Sequence, residues 1–362
     1  MTRGLIMKKR IVYLDVLRII ACLGVIANHT NIILSKAEID ISSVSQAELL
    51  GGVLYMALCK VAVTLFLMIS GSLLLRKVDS YKKIFHRIFR IIVVLLVFSL
   101  GYYVVGHDVY SIGDFFKTIS KTNITKAFWF LYLYLGILVM LPVLQRMVRN
   151  FRQKDYWYFF FFSFGICSFN FITEYNSLFS LPVFATPIGI FLLGYYLDNY
   201  VDLTGYNFKF FIATGFTFSI LIVGFLCAYT KRELQNGSDT AYRLMVYDNV
   251  FYVILSILVF LMVKYTVCKC LAKQKSNTKE SIVNADTSTV IKIISFVASC
   301  TFGIYLFSDY IISLFMPAFE KWADQSNMYM LFIVIVLDIT VFVTCFLITA
   351  LLLQIPIIKR FL

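Results

Sequence analysis

Long apolar runs, each interrupted only by isolated polar residues, recur along the whole chain. Ten of them are long enough to cross a bilayer, at about 11–33, 53–75, 84–105, 127–147, 156–173, 181–198, 209–230, 247–267, 290–314 and 328–353. Mostly apolar runs of about 18 residues or more mark transmembrane helices rather than buried core helices. The pattern predicts an all-α fold, a polytopic membrane helix bundle of about ten transmembrane helices. The fifth and sixth runs are the shortest. One polar stretch of any length, KQKSNTKESIVNADTS at 273–288, falls in a loop expected at about 268–289. It reads as a flexible loop rather than a domain boundary. Residues 1–362 are therefore expected to form a single membrane domain with no appended soluble domain, so any chemistry belongs to the bundle or its loops.

Composition agrees with that reading. The 362 residues are 60% hydrophobic and 15% charged, where a soluble chain is nearer half apolar and a quarter charged. The net charge of +13 invites a nucleic-acid partner, but its distribution argues for the lipid bilayer instead and for no nucleic acid. With the N-terminus inside, 23 of the 33 Lys and Arg residues flank one side of the predicted spans, among them Arg76, Lys77, Lys82, Lys83, Arg146, Arg149 and Lys269. Nine, including Lys36, Lys60 and Lys231, flank the other. That asymmetry follows the positive-inside rule and predicts that both termini are cytoplasmic. The first run does not read as a signal peptide, because it is long, carries charge and lacks a small-residue cleavage site. The eight cysteines are scattered and show no C-x-x-C pair, so they read as small apolar fillers and no metal site is expected.

The first run carries the most expensive residues. Asp15, Arg18 and His29 lie inside it, and an ionisable side chain at membrane depth marks a candidate functional site. Asp15 and Arg18 are three residues apart and can pair on one helix face. Arg18 and His29 are eleven apart, three turns along the same face and roughly 16 Å along the axis. Imidazole titrates near neutral pH, so His29 can take a proton from a hydroxyl or carry an acyl group. In the basic stretch RKVDSYKKIFHRIFR, Arg87 and Arg90 share a helix face, and two guanidinium forks so spaced suit phosphate oxygens. The same stretch also serves as a positive-inside anchor. His86 lies within it, and His107 falls in a loop.

Three further stretches carry weaker signals. Ser70-Gly71 within FLMISGSLLL has the small side chains of a helix-packing device. Trp129 opens FWFLYLYLG, where it fits an interfacial aromatic belt or a surface that stacks on sugar rings. Ser308 and Asp309 in SCTFGIYLFSDYII are expected near the level of His29, and Asp338 in the last run needs a buried partner, for which Arg18 is a candidate.

Taken in order, these stretches resemble the bacterial acyltransferase type 3 family of integral membrane O-acyltransferases. Arg18 and His29 match its R-x10-H signature, with Asp15 in the preceding turn, and Arg87 and Arg90 match its R-x-x-R element. FLMISGSLLL, WFLYLYLGILVMLPVL, GIFLLGYYL and FGIYLFSDYII follow the family's order and spacing over nearly the whole chain. The resemblance implies a multi-pass protein of the bacterial plasma membrane that transfers an acyl group to a carbohydrate or glycolipid hydroxyl. The acyl-CoA, usually acetyl-CoA, is a donor substrate and not a bound cofactor. It implies catalytic roles for His29 and Arg18, with Asp15 beside them, and acyl-CoA binding by Arg87 and Arg90. Many relatives have a histidine where this chain has Ser308, so Ser308, Asp309, Trp129 and Ser70 are supporting candidates. The expected lack of an esterase-like domain points toward a glycolipid or capsule-type acceptor. Two other readings use the same ionisable core: an exporter of a glycan or lipid-linked precursor, and a non-enzymatic partner in surface-polymer assembly.

Overall fold

The computed structural model describes residues 10–39, 43–106, 111–121, 124–173, 185–203, 205–236, 246–247, 249–277, 289–326 and 328–362. Among these residues 86% are helical and none forms a strand, so the fold is all-α. In chain order the helices are α1 (Val12–His29), α2 (Ile32–Ile39), α3 (Gln46–Cys59), α4 (Val61–Leu74), α5 (Tyr81–Gly106) and α6 (Ile112–Lys121). They continue as α7 (Trp129–Asn150), α8 (Gln153–Ile172), α9 (Thr186–Asn199), α10 (Phe208–Gln235), α11 (Val250–Asn277), α12 (Thr289–Gln325) and α13 (Met330–Leu352).

Eight helical spans among the described residues are long and apolar enough to cross a membrane. Two differ from simple rods. The first joins α1 to α2 through Thr30 and Asn31, and the second joins α3 to α4 through Lys60. Lys60 itself keeps helical torsions, φ −61° and ψ −18°, so α3 and α4 run on almost without a break. The two shortest predicted runs correspond to α8, which is rich in aromatic residues, and to α9, whose 14 residues cover about 21 Å at 1.5 Å per residue. The exposed side chains of the bundle are apolar along α5, α8, α10 and α13, where Val97, Phe161, Leu221 and Leu347 face outward. Such a surface is matched by lipid, not by water.

Several boundaries move relative to the sequence pattern. The second span begins at Gln46, because Ser45 caps it: its Oγ accepts the Glu48 N–H at 3.3 Å, and the Glu48 carboxylate accepts the Ser45 N–H at 3.2 Å. α11 runs to Asn277, into the expected loop, of which 278–288 lies outside the described residues, as do His107 and residues 181–184 of the sixth run. α12 is 37 residues long, about 56 Å at 1.5 Å per residue, so it outruns a hydrocarbon core of roughly 30 Å.

α1 lies at the centre, packed against α3, α4, α11, α12 and α13. The tightest crossing is α4 on α9. A Cβ on Gly71 would stand 1.7 Å from the Phe191 carbonyl oxygen, and one on Gly194 would stand 2.0 Å from that of Met68. The Ser72 hydroxyl donates across the crossing to the Gly194 carbonyl at 2.8 Å. α5 and α7 form a second layer that packs mainly on itself, and a cluster of Val25, Ala62, Val94, Leu95, Phe128 and Leu131 joins that layer to α1 and α4.

Candidate active site

Between α1, α4, α5, α7 and α12 lies a cavity of about 810 Å³. α1 contributes Arg18, Val25, Asn28 and His29. Positions 18, 25 and 29 are spaced by seven and four residues, which keeps them on one face of an α-helix, so Arg18 and His29 sit at opposite ends of one wall, roughly 16 Å apart along the axis. α4 contributes Val63, Phe66 and Ser70, three and four residues apart and so again on one face, with Lys60 just before its first turn. Aromatic side chains close the middle: Phe130 of α7, and Phe302 and Tyr305 of α12.

The Arg18 end is cationic. Arg18 pairs with Asp15 at 3.7 Å, while Asp15 is buried, accepts the Ser295 hydroxyl of α12 at 2.9 Å and lies 3.9 Å from Arg10. Asp15 does not line the cavity; it holds the guanidinium that does. Tyr134 stands in the field of Arg18, Arg87 and Arg90 and interacts with the Ser70 hydroxyl, which brings Ser70 to this same end. Ser70 and Gly71 thus divide their work, one facing the cavity and the other the α9 backbone.

The R-x-x-R pair parts company. Arg90 lines the cavity, where its guanidinium lies 5.8 Å from the Phe302 ring centroid. Its Nε donates to the Phe361 carbonyl at 2.8 Å and its terminal nitrogen to the Leu362 carbonyl at 2.7 Å, so the segment after α13 covers this end, with Leu362 on the wall. Arg87 does not line the cavity. It donates to Asp79 at 2.6 Å, and Asp79 also takes Lys83 at 2.5 Å. Burial alone would raise the Asp79 pKa, but hydrogen bonds from Lys83 and Arg87 outweigh it and bring the carboxyl down to about 2. A carboxylate at the start of α5 also complements that helix's N-terminal dipole.

His29 is the last residue of α1 and faces the other end of the cavity. The next residue, Thr30, donates to the Ile26 carbonyl at 3.2 Å and to the carboxylate of Asp338. Asp338 therefore finds its partner in Thr30, not in Arg18, and α13 pins the helix end that presents His29. Trp129 is on the wall, its ring 5.0 Å from Tyr247. Ser308 and Asp309 are not. The Ser308 hydroxyl is buried and donates to the Tyr305 carbonyl at 2.9 Å, and one turn earlier on that helix Tyr305 does reach the cavity, its hydroxyl donating to Ala127 O at 2.6 Å.

The structure thus gathers Arg18, His29, Arg90, Trp129 and Ser70 around one space and leaves Asp15, Arg87, Ser308 and Asp309 outside it. It adds Asn28, Lys60, Tyr134 and Tyr305. Among the described residues no three His, Cys, Asp or Glu side chains cluster closely enough to hold a metal ion. A cavity with fixed cations at one end, an apolar and aromatic middle and an imidazole at the other can hold a long anionic ligand with its reactive end beside a base.

The family model described as an acyltransferase domain, that of the type 3 acyltransferases, matches residues 11–350 and so takes in every cavity residue from Arg18 to Tyr305. Neither the curated proteins nor the solved structures contain a match to the chain. A match of that extent, on a bundle whose cavity carries the R-x10-H pair at its two ends, identifies the chain as a member of the acyltransferase type 3 family, a multi-pass membrane protein that transfers acyl groups.

Proposed function

We propose that the protein is a plasma-membrane O-acetyltransferase that moves acetyl from acetyl-CoA to a hydroxyl of a cell-surface carbohydrate or glycolipid. The observation that carries this reading is the single cavity joining Arg18 and Arg90 to His29. The positive-inside charge bias puts the arginine end toward the cytoplasm, where acetyl-CoA is found. In this reading the CoA phosphates meet Arg18 and Arg90, and the pantetheine arm runs past Val63 and Phe66. The roughly 16 Å between Arg18 and His29 is comparable to the length of that arm.

His29 accepts the proton of the acceptor hydroxyl as its oxygen attacks the thioester carbonyl. The tetrahedral intermediate collapses by breaking the carbon–sulfur bond. The thiolate takes the proton back from the imidazolium, so the products are an ester and free CoA. Asp15 positions Arg18, and Asp338 positions His29 through Thr30.

Membranes containing the protein, given acetyl-CoA labelled in its acetyl group, are expected to place base-labile label in the glycan or glycolipid fraction. No transfer above that of protein-free membranes would overturn the reading. The two arginines should separate in the same assay. Arg90→Ala removes charged hydrogen bonds worth about 1.5–3 kcal/mol and should raise the KM for acetyl-CoA roughly tenfold to a hundredfold. Arg87→Ala, which breaks the ion pair to Asp79, should leave that KM unchanged and lower the thermal midpoint. Equal effects on KM would restore the two-arginine phosphate clamp.

A further inference from the structure

The His29 end of the cavity holds two groups that the proposed transfer does not use. Lys60 sits at the centre of the Gln46–Leu74 span, fourteen residues from either end of its 29. At that depth an ammonium is costly unless something pairs with it. The other cations near the cavity have partners. Arg18 has Asp15, Arg87 has Asp79, and Arg90 has two carbonyls. Lys60 lines the cavity, and its ammonium has no ion pair or hydrogen bond among the described residues. Its level is set by packing: the Cys59 carbonyl lies 3.3 Å from where a Cβ on Gly24 would be, one turn of α1 before Asn28. It is also ten residues, about 15 Å along the helix, from Ser70 at the opposite end.

The second group is Asn28, beside His29 on the same wall. Its Oδ1 is buried and has no hydrogen-bond donor among the described residues. An unsatisfied buried acceptor calls for an O–H or N–H from whatever fills the space. Trp129 offers a flat aromatic face on the same wall.

From these we infer that the His29 end of the cavity is a binding site for a sugar that carries a negative charge, with Lys60 holding its carboxylate or phosphate and Asn28 accepting one of its hydroxyls. The inference rests on the acyltransferase reading for the role of that sugar as acceptor, and it narrows the acceptor from any carbohydrate to an acidic one. Charge-assisted hydrogen bonding to Lys60 discriminates an acid from its neutral analogue, because the neutral sugar leaves the ammonium unpaired.

The test requires neither acetyl-CoA nor turnover. The chain has three tryptophans, and Trp157→Phe with Trp322→Phe leaves Trp129 as the sole indole emitter, on the cavity wall. The purified protein is titrated with sodium glucuronate and with glucose at constant ionic strength while Trp129 emission is followed. Glucuronate is expected to bind at least about tenfold more tightly, the equivalent of about 1.4 kcal/mol. Lys60→Met should abolish that preference, and Lys60→Arg should keep it. Arg90→Ala should also keep it, which separates this end from the donor end. The inference is overturned if glucuronate gives no saturable response, if the two sugars bind alike, if the preference survives Lys60→Met in protein with a wild-type thermal midpoint, or if Arg90→Ala removes it. None of those outcomes touches acetyl transfer, which the labelled-donor assay decides separately.

Discussion

Replacing His29 by alanine should abolish acyl transfer and leave the amount of protein in the membrane unchanged. The side chain faces the cavity at the last position of α1, so shortening it removes little packing. The helix end it caps is held independently, by Thr30 donating to Ile26 and to Asp338. What disappears is the base. A positioned general base typically contributes about 10²- to 10⁴-fold, and among the described residues no second imidazole lines this cavity to replace it. Label from acetyl-CoA appearing in the acceptor fraction gives the measurement, with protein level read by immunoblot. Activity within tenfold of wild type would remove His29 from the reaction, and lost protein would make it a structural residue instead.

Gly71→Ala should damage the fold more than any change in the cavity. The new methyl would meet the Phe191 carbonyl oxygen at 1.7 Å and its carbon at 2.7 Å. Both are backbone atoms and cannot rotate aside. α4 and α9 would have to separate, breaking the 2.8 Å hydrogen bond from Ser72 to Gly194 and the mutual fit of Gly194 against Met68. Overpacking a close crossing costs about 1–3 kcal/mol and sometimes more, and here the obstacle is main chain on both sides. The expected result is protein that fails to accumulate or elutes as aggregate in detergent. Gly101→Ala is the control: its Cβ would meet nothing within 4 Å, and replacing a mid-helix glycine by alanine favours the helix by roughly 1 kcal/mol. Equal behaviour of the two variants would refute the steric argument.

The sequence carried the bundle because bilayer-length apolar runs have one structural solution each, a helix that satisfies its own backbone. It also carried the two ends of the cavity. Arg18 and His29 share a wall because eleven residues make three turns, and that arithmetic does not depend on neighbours. Arg87 and Arg90 show where such arithmetic stops. Their spacing of three does place them on one face, but which carboxylate or carbonyl captures each guanidinium depends on Asp79 and on residues 361–362, far apart in the chain. The same limit hid the partner of Asp338. Ser308 was drawn toward His29 by its position after GIYLF, yet the helix turns Tyr305 to the cavity and Ser308 into the core. Lys60 was legible in part. By charge bias alone a lysine seven residues inside an apolar run predicted at 53–75 reads as a flanking charge, but its depth within that run is the signal. Asn28 had no signal beyond adjacency to His29, since an orphaned acceptor is visible only once the atoms around it are known.

The segment after α13 gives the donor end a competitor within the molecule. The guanidinium of Arg90 already spends two of its donors on the Phe361 and Leu362 carbonyls, so an incoming phosphate and this peptide segment contend for the same hydrogens. Linkage then ties two events into one equilibrium: the affinity measured for any anion at Arg90 is its intrinsic affinity scaled by the fraction of molecules in which residues 361–362 have let go. Anything that anchors or lifts that segment, from a fused tag to a neighbouring lipid headgroup, would retune the donor affinity without touching a residue of the cavity wall.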